Sequence, residues 1–377
     1  MKILYCIAGT YRGGGMERVL ALKANWLAEH GYEVAIATSD QQGRKPFFEL
    51  DERIATYDLA IGYEDNNGGS FIDKLIHYPA KKRTHRRKLR RLLAELKPDV
   101  CVSMFCGEAS FLPKIKDGSK KVGEVHFSRF KRLQYGRKGL FGLADRLLTW
   151  IDGRTARRFD RFVVLTEEDR PNWGASNRIS VIANPLTFRA ESHAELDATV
   201  ALAIGRFTEQ KGFDRLIDAW RMVADRHPQW KLKIVGDGEL KPMLQSRIVR
   251  LGLDNAVELA EPTKDVEALY SGASMYLMTS RYEGLPMVLI EAQSCGLPIV
   301  SMTCKCGPRD VVTDGIDGFL VGDGDINGIA DRICRLIEDS ELRKSMGRTA
   351  REACERFAID AVMTKWDKLF KEIANEK

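Results

Sequence analysis

The sequence predicts an α/β protein made of two doubly wound, parallel-sheet domains, and three observations lead to this prediction. The chain has 377 residues, which is more than the roughly 250–300 at which single hydrophobic cores stop growing. Its composition, 44% hydrophobic and 30% charged, is that of an ordinary globular protein. Short apolar runs alternate with helical patterns in both halves, as they do in successive βαβ units.

The predicted strands are evenly divided between the halves of the chain. The first half has apolar runs at 2–8, 33–38, 100–104, 121–125, 161–165 and 179–182. The second half has them at 199–204, 231–235, 256–259, 275–278, 298–301 and 318–321. Asn184-Pro185 ends a strand and a polar stretch without clear periodicity follows, so we place the domain boundary near Asn184–Asp197. The last segment, 359–376, has apolar residues at helical spacing and no strand after it.

The charge differs between the two halves. Residues 1–190 carry 34 Lys and Arg against 22 Asp and Glu, whereas residues 191–377 carry 25 against 31. A positive half usually meets phosphates, whether on nucleic acid, on a lipid headgroup or on a nucleotide-linked substrate. Charge alone therefore narrows the partners without choosing among them.

Cysteine usage and hydropathy indicate the cell compartment. Eight cysteines scattered along so long a chain do not form the dense pattern of a secreted disulfide scaffold. Cys304-Lys305-Cys306 has no second Cys/His pair at zinc-site spacing, so we expect an ordinary loop there. No apolar run approaches the roughly 18 residues that span a bilayer, and the glycine-rich loop comes too early for a signal peptide. We expect a cytoplasmic protein.

The first predicted strand is followed by Gly13-Gly14-Gly15 and then by a helical pattern. Glycines at a helix N-terminus let backbone N–H groups approach an anion at the carboxyl edge of a parallel sheet. A plain structural loop explains the same residues. The turn matches neither the G-x-G-x-x-G pattern of dehydrogenases nor the P-loop pattern, so both of these enzyme classes lose their main support.

The second half repeats this signal twice. Gly205-Arg206 follows its first predicted strand, and Lys211 lies in the same loop. Arg offers a planar fork of donors and Lys a compact charge, so the two cations suit a diphosphate. The alternative is a solvated basic loop. Gly236-Asp237-Gly238 follows the next strand and also permits close backbone approach.

The most specific stretch runs from Ser280 to Ala292 and contains two carboxylates eight positions apart. We expect Gly284-Leu285-Pro286 to start a helix, which places Glu283 at its mouth and Glu291 about two turns inside, so that both could face one crevice. Glu291 has apolar neighbours, and a carboxylate on an inward-facing element needs a polar partner. A capped or salt-bridged structural residue remains the alternative for Glu291.

Taken together, these motifs resemble the retaining glycosyltransferases of the two-Rossmann (GT-B) fold, specifically family four and its bacterial polysaccharide and glycolipid branch. The resemblance covers essentially the whole chain. It depends on the order of short motifs, each weak alone: Gly14-Gly15-Met16-Glu17-Arg18, Gly205-Arg206 with Lys211-Gly212, Gly236-Asp237-Gly238, Glu283 to Glu291, Cys306-Gly307-Pro308-Arg309-Asp310 and Asp317-Gly318-Phe319-Leu320-Val321.

The resemblance implies domain limits and an activity. The last helix would cross back, giving residues 1–187 plus 358–377 as an acceptor-side domain and residues 188–357 as the donor-binding domain. The activity would be metal-independent, cofactor-free transfer of a hexose or N-acetylhexosamine, with retention, from a nucleotide-diphosphate sugar. A UDP-sugar is the favoured donor, although Glu261 stands where the branch commonly has glycine, which leaves the base open. The acceptor would be a glycan, a glycolipid or a polyprenyl-diphosphate-linked sugar.

The resemblance also implies residue roles. Arg206 and Lys211 would stabilise the leaving diphosphate, and Glu291 would accept hydrogen bonds from the ribose hydroxyls. Glu283 would lie against the donor sugar, and His126 would contact that sugar near its reacting carbon, although a histidine after a strand is often only structural. The remaining donor-binding positions are backbone ones: Gly14, Gly15, Gly205, Gly236, Gly238, Gly284, Leu285 and Pro286.

Two other functions stay open beside this one. A sugar-nucleotide epimerase could use the same architecture, and product analysis with and without acceptor separates it from a transferase. A non-catalytic anion-binding or membrane scaffold would bind nucleotide or lipid without turnover.

Residues 81–91 form a strongly basic stretch that continues into leucines at helical spacing. We predict a helix packed by its leucines, whose cations are either merely solvated or attract an anionic membrane surface at the inner face of the cell membrane. The stretch has no aromatic residues among its cations and no recognised nucleic-acid fold, so we expect no nucleic-acid partner. The cations are Lys81, Lys82, Arg83, Arg86, Arg87, Lys88, Arg90 and Arg91.

Overall fold

A computed structural model describes residues 1–63, 71–134, 136–190 and 193–376, without the side chains of 71–76. The chain divides into two compact units. The first contains Met1–Pro185 together with Ile359–Lys377, and the second contains Leu186–Ala358. Each unit consists of one parallel β-sheet and the helices that connect its strands.

The sheet of the first unit is parallel throughout. Its strands are β1 (Lys2–Ile7), β2 (Glu33–Thr38), β3 (Ala55–Asp58), β4 (Val100–Ser103), β5 (Lys120–Glu124), β6 (Arg161–Val164) and β7 (Ile179–Val181). Their order is β3-β2-β1-β4-β5-β6-β7. Alternate residues of β1 enter different cores, Ile3 and Tyr5 on one face and Leu4 and Cys6 on the other. Helices therefore cover both faces, as in doubly wound proteins.

The second sheet follows the same plan with six parallel strands. They are β8 (Val200–Ile204), β9 (Lys231–Val235), β10 (Val257–Ala260), β11 (Met275–Met278), β12 (Ile299–Met302) and β13 (Gly318–Val321). Their order is β10-β9-β8-β11-β12-β13. The predicted α/β class with two doubly wound parallel sheets is thus confirmed.

The helices lie between these strands in the sequence. The first unit has α1 (Gly15–Glu29), α2 (Phe71–Leu96), α3 (Lys131–Gln134), α4 (Gly139–Ala156) and α5 (Arg170–Trp173). The second has α6 (Phe213–Arg226), α7 (Lys241–Arg250), α8 (Val266–Ser271), α9 (Met287–Ser294), α10 (Pro308–Val311), α11 (Ile326–Glu338) and α12 (Ser340–Cys354). The last helix, α13 (Ile359–Asn375), belongs to the first unit.

Helix α13 closes one core of the first unit. Trp366 and Phe370 are buried among residues of β1 and α1. Polar contacts support this packing, since Trp26 Nε1 donates to Asp360 at 2.7 Å and the Tyr32 hydroxyl donates to Asp367. The first unit is therefore made from both ends of the chain.

Strand β3 has no counterpart among the predicted strands. It lies at the edge of the sheet and pairs with β2 alone. Ala55, Thr56 and Asp58 are exposed, so the segment lacks the buried apolar side chains by which the other strands were recognised. Backbone pairing with β2 makes it a strand, and such pairing leaves little trace in an exposed sequence.

Candidate active site

The second sheet reverses its strand order between β8 and β11. The chain runs from β8 to β9 and β10 on one side and from β11 to β12 and β13 on the other. In open α/β sheets, ligands bind outside the carboxyl ends of the strands at such a switch point. The loop that follows β8 carries Arg206 and Lys211, and the loop that follows β11 carries Glu283.

Lys211 and Glu283 form an ion pair at this point. Lys211 Nζ lies 2.7 Å from Glu283 Oε1, and the two side chains are 17% and 9% exposed. The Ser280 hydroxyl donates to the same oxygen at 2.7 Å, and Gln210 Nε2 lies 3.4 Å from the other. An ammonium has three donors, so Lys211 is held in place by Glu283 and keeps donors for an anion.

A second ion pair fastens the two loops together. Arg281 binds Asp214, in the first turn of α6, through two hydrogen bonds of 2.9 and 2.7 Å. Its backbone N–H also donates to the carbonyl of Gln210 at 2.7 Å. Burial would raise the pKa of Asp214, but the hydrogen bonds and charge of Arg281 outweigh burial and leave that pKa below its usual value. The position of Lys211 is therefore fixed from both sides.

Arg206 differs from Lys211 in being exposed. Within the described part of the chain, its guanidinium has no recorded hydrogen bond or ion pair. The predicted pair of cations thus consists of one that is partly buried in a hydrogen-bonded network and one that is open to solvent.

The glycines of these loops are explained by close contacts within the protein. A Cβ at Gly236 would collide with the carbonyl oxygen of Gly205, and one at Gly238 would lie 2.6 Å from the Phe207 oxygen. A Cβ at Gly205 would lie 3.1 Å from the side-chain carbons of Lys211. Gly205 therefore makes room for the stem of Lys211, and Gly236 and Gly238 let the loops after β8 and β9 touch.

The segment Gly284-Leu285-Pro286 leads into α9 without being part of it. Pro286 is the N-cap residue and makes no side-chain capping bond, so the N-terminus of α9 is not capped by its own side chain. The segment is braced from one side, because Glu283 N–H donates to the Lys305 carbonyl at 3.0 Å and Cys306 N–H donates back to the Glu283 carbonyl at 3.2 Å.

Glu291 is the fifth residue of α9, so it lies about one turn inside the helix rather than the two turns that we predicted. The prediction counted Gly284–Pro286 as helical. Its carboxylate has the polar partners that burial demands: Thr187 Oγ1 donates to Oε1 at 2.6 Å and the Tyr270 hydroxyl to Oε2 at 3.0 Å. Neither Thr187 nor Tyr270 was predicted, because the fold brings them to α9 from distant segments.

In the first unit, the predicted glycine-rich turn forms the N-terminus of α1. Gly14 is the N-cap residue, and Gly15 is exposed, with nothing within 4 Å of an added Cβ. The carboxylate of Glu17 folds back over Gly14, where an added Cβ would collide with it. An acidic residue in the first turn stabilises the helix dipole, so an incoming anion would compete with Glu17 there.

His126 follows β5 and sits beside a buried ion pair. Lys23 Nζ lies 2.6 Å from both carboxylate oxygens of Glu124, and the two side chains are only 1% and 2% exposed. Nε2 of His126 is 3.3 Å from Glu124 Oε1. Nδ1 of His126 is buried and has no hydrogen-bond partner within the described residues, so this nitrogen keeps its hydrogen-bonding capacity.

The charges around Glu124 hold it ionised. Burial would raise its pKa, but Lys23 and then His126 outweigh burial and lower the pKa to about 2. Burial lowers the pKa of Lys23, and Glu124 opposes that change. The ammonium also lies 3.7 Å from the centre of the Trp366 ring. Our sequence analysis missed this pair, although a lysine in the apolar stripe of α1 was a visible signal.

Two family descriptions match this chain almost from end to end. Residues 14–185 match a glycosyl transferase 4-like domain, and residues 186–353 match the glycosyl transferases group 1. An uncharacterized glycosyltransferase of Haemophilus influenzae is 30% identical over 97% of this chain and 98% of its own. The chain is a GT-B glycosyltransferase.

Other relatives and structures agree. The amylovoran biosynthesis glycosyltransferase AmsD of Erwinia amylovora is 28% identical over 97% of this glycosyltransferase and 98% of its own chain. An N-acetyl-D-galactosaminyltransferase of Campylobacter jejuni that acts on a PP-undecaprenol glycan is 27% identical over 100% of this glycosyltransferase and 99% of its own chain. The crystal structure of TarM has a TM-score of 0.78 at 17% identity over 98% of each chain. Such a likeness shows the fold.

The glycosyltransferase contains one Asp-x-Asp triplet, Asp323-Gly324-Asp325, of the kind that binds metal in glycosyltransferases of the other large fold. Both carboxylates have structural partners. Asp325 caps α11 by accepting from Gly328 N–H at 2.8 Å, and Asp323 pairs with Arg215 at 2.7 Å. Within the described residues, no group of three or more His, Cys, Asp or Glu is arranged to hold a metal ion.

The basic stretch lies in α2, with Leu89, Leu92 and Leu93 buried as predicted. Lys88 is not free, because its ammonium donates to the carbonyls of Leu59 and Ala60 at 2.6 and 3.2 Å. Lys81 likewise donates to the carbonyl of Gly62. Lys82 is half-buried, and burial lowers its pKa. Five exposed arginines lie on one side of the helix: Arg83, Arg86, Arg87, Arg90 and Arg91.

Proposed function

We propose that this glycosyltransferase moves a hexose or N-acetylhexosamine from a nucleotide-diphosphate sugar, with retention of configuration, to a lipid-linked or glycan acceptor in cell-surface polysaccharide or glycolipid synthesis. The observation that carries the proposal is the Lys211–Glu283 ion pair at the switch point of the second sheet. Arg206 is exposed in the same loop as Lys211. The crystal structure of Anabaena HepE in complex with UDP has the same fold, with a TM-score of 0.74 at 18% identity over 99% of this chain and 100% of its own, which favours a UDP-sugar.

The geometry suits stabilisation of a leaving diphosphate. Negative charge develops on that group as the glycosidic bond breaks, and preorganised cations stabilise it without rearranging. Glu283 holds Lys211 in place, and the exposed guanidinium of Arg206, which is unpaired among the described residues, can bind phosphate oxygens. These two cations supply the positive charge, so we propose that the step needs no metal.

Glu291 and His126 complete the assignment. Glu291 is proposed to accept hydrogen bonds from the ribose hydroxyls, because each of its oxygens is oriented by one protein hydroxyl and can accept another bond. His126 is proposed to contact the transferred sugar, because its Nδ1 has no hydrogen-bond partner among the described residues.

The acceptor proposal comes from the relatives and from charge. The Campylobacter jejuni relative acts on a PP-undecaprenol glycan, and the first unit carries the excess of cations that an anionic lipid surface attracts. No helix among the described residues is long and apolar enough to cross a bilayer. We propose that the five exposed arginines of α2 contribute to this attraction at the inner face of the membrane.

A thermal-shift screen tests the donor site. UDP, GDP, ADP and their sugar conjugates are added without metal to the wild type, to Lys211→Ala and to Lys344→Ala. The last variant is a matched control, because Lys344 forms an ion pair with Asp197 at 2.9 Å in the same unit, away from the switch point. We expect one nucleotide family to raise the midpoint of thermal unfolding by mass action in the wild type and in Lys344→Ala, but not in Lys211→Ala. An unchanged shift in Lys211→Ala would contradict the assignment.

Product analysis tests the reaction. With a donor identified by the screen and a polyprenyl-diphosphate-linked acceptor, NMR of the product should show the anomeric configuration of the donor. An altered sugar nucleotide formed without acceptor would instead identify an epimerase.

A further inference from the structure

Helix α4 has an inverted distribution of side chains. It buries Asp145, Thr149 and Gly153, which recur every four residues and so lie on one side. Its large apolar residues face solvent instead. Leu140, Phe141, Leu143, Leu147 and Trp150 are 83, 67, 60, 57 and 54% exposed, and Leu148 and Ile151 are exposed as well. A helix packed on a core shows the opposite pattern.

The exposed apolar residues form one continuous face. At about 100° per residue, positions 140 to 151 place them over roughly half of the helix circumference, opposite the buried side. Monomeric proteins rarely expose apolar patches larger than a few hundred Å², and larger ones mark sites that bind a protein or a membrane. Single exposed leucines would need no explanation, but seven large apolar side chains on one helix do.

Ion pairs hold α4 in this orientation. Arg137 binds the buried Asp145 through two hydrogen bonds of 2.8 and 2.5 Å. Arg132 pairs with Asp152, and the guanidinium of Arg129 donates to the carbonyl of Thr149. The segment 129–137 thus binds the polar side of α4. Rotating the helix to bury its leucines would break these contacts.

The surroundings of α4 are strongly basic. Residues 129–158 contain nine Lys and Arg and only two Asp. Both aspartates pair with arginines, while Arg146 and Arg154 remain exposed on the helix itself. The guanidinium of Arg154 lies 4.8 Å from the centre of the exposed Trp150 ring. An apolar face with Trp, Phe and Leu beside cations is the pattern of helices that lie in a membrane interface.

We propose that α4 is a membrane-docking helix, which inserts Leu140, Phe141, Leu147 and Trp150 among the acyl chains of an anionic bilayer. Arg146 and Arg154 then lie at the depth of the lipid phosphates. The interaction is distinct from the role of the α2 arginines, which attract the surface by charge. It goes beyond the proposed transfer reaction and does not depend on it.

Charge selects lipid over a second copy of this chain. Two copies that met through α4 would bring together two faces with the same excess of cations, and like charges across an interface oppose association. An anionic bilayer supplies both an apolar interior and the complementary charge.

Vesicle flotation tests the proposal with the whole chain and without nucleotide. The vesicles are made of phosphatidylcholine alone or with phosphatidylglycerol. We expect the wild type to float with the anionic vesicles only. The variant Phe141→Ser/Leu147→Ser/Trp150→Ser should lose more than about tenfold in partitioning, because it removes three large apolar side chains that would be buried among the acyl chains.

A matched variant controls for the loss of exposed apolar surface. Met243→Ser/Val249→Ser/Ile316→Ser replaces three exposed residues of the second unit, which are 39, 57 and 55% exposed. It should bind vesicles as the wild type does. Arg86→Gln/Arg87→Gln/Arg90→Gln on α2 should bind less tightly at low salt, yet still insert α4 when lipid is in excess.

A second measurement follows insertion directly. Trp150 is exposed, whereas Trp173, Trp220, Trp230 and Trp366 are buried. Brominated acyl chains should therefore quench part of the fluorescence of the wild type, and Trp150→Phe should remove that part. The proposal would be overturned if the triple serine variant of α4 floated as well as the wild type does. It would also be overturned if Trp150→Phe left the quenching unchanged. A dimer in sedimentation that needs the α4 residues and forms without lipid binding would overturn it as well.

Discussion

At Glu291, a carboxylate is oriented by protein hydroxyls and still able to bind a ligand. Thr187 donates to one oxygen and Tyr270 to the other, while a carboxylate has about four acceptor sites. Burial and the nearby Glu291 raise the pKa of Tyr270 well above its usual value, so this hydroxyl stays a donor throughout the working pH range.

We predict that Glu291→Ala weakens binding of the nucleoside diphosphate by roughly 10- to 100-fold, since a hydrogen bond to a charged group contributes about 1.5–3 kcal/mol. Calorimetric titration checks this. The 2′-deoxynucleotide is the matched ligand: the wild type should lose affinity for it, and Glu291→Ala should bind both ligands nearly equally. Equal affinity of the wild type and the variant for the ribonucleotide would remove the ribose role.

The Lys23–Glu124 pair yields a prediction about stability. Glu124→Gln leaves the Lys23 ammonium buried without its counter-ion, and breaking a buried pair in this way costs about 3–5 kcal/mol. The double variant Lys23→Met/Glu124→Leu removes both charges and should be much nearer the wild type. Urea unfolding of the three proteins checks this, and a Glu124→Gln variant as stable as the wild type would be incompatible with a buried, charged Lys23.

The same carboxylate predicts a pH dependence. Its pKa falls from the ordinary value of 4.5 to about 2 on folding, so the unfolded chain binds the proton more tightly than the folded chain. Glu124 therefore contributes stability above about pH 4.5, which is lost as the pH falls towards about 2. As the pH falls from about 4.5 towards about 2, the wild type should therefore lose stability relative to the uncharged double variant. A difference independent of pH would show that Glu124 is not held ionised.

At the scale of elements, the loops after β8 and β11 act together. Gly212 is the N-cap residue of α6 with φ of +63°, and a Cβ there would collide with the carbonyl oxygen of Thr279. The Thr279 hydroxyl in turn donates to the Gly212 carbonyl at 2.9 Å. Glycine is thus required both by its backbone conformation and by the close approach of two loops.

We predict that Gly212→Ala costs about 1–3 kcal/mol of stability and reduces nucleotide affinity, because it displaces the loop that carries Lys211. Gly252→Ala is the matched control, since Gly252 has φ of +66° in the same unit but nothing within 4 Å of an added Cβ. It should show a smaller loss of stability and normal affinity. Denaturant unfolding and calorimetry measure both quantities, and equal effects of the two substitutions would refute the loop contact.

Element types were predictable from the sequence because buried parallel strands are short apolar runs. Strand β11, Met275–Met278, was predicted at its observed limits for this reason. Strand β3 was missed because it is exposed at a sheet edge. The orientation of α4 was equally unpredictable, because its leucines suggest burial until the ion pairs of Asp145 are seen.

At the scale of the whole molecule, the first unit depends on the last helix. A chain that ends at Ala358 lacks buried side chains of α13 worth on the order of 10 kcal/mol, which is comparable with the net stability of a domain. These are Val362, Met363, Trp366, Leu369, Phe370 and Ile373. We predict that residues 1–185 of this truncated chain are rapidly digested in limited proteolysis, whereas residues 186–358 resist. A chain that ends at Asn375 is the control, and equal resistance of both units would contradict the prediction.

The sequence by itself determined the α/β class, the places of the strands along the chain other than β3, and the glycosyltransferase resemblance. Local patterns carry this information, because burial dictates apolar runs and close backbone approach dictates glycine. The tertiary structure decided which side chains meet: Lys211 with Glu283, Glu291 with Tyr270, and Lys23 with Glu124. These contacts join residues 21 to 101 positions apart. Their formation depends on strand order and helix rotation, which no local pattern records.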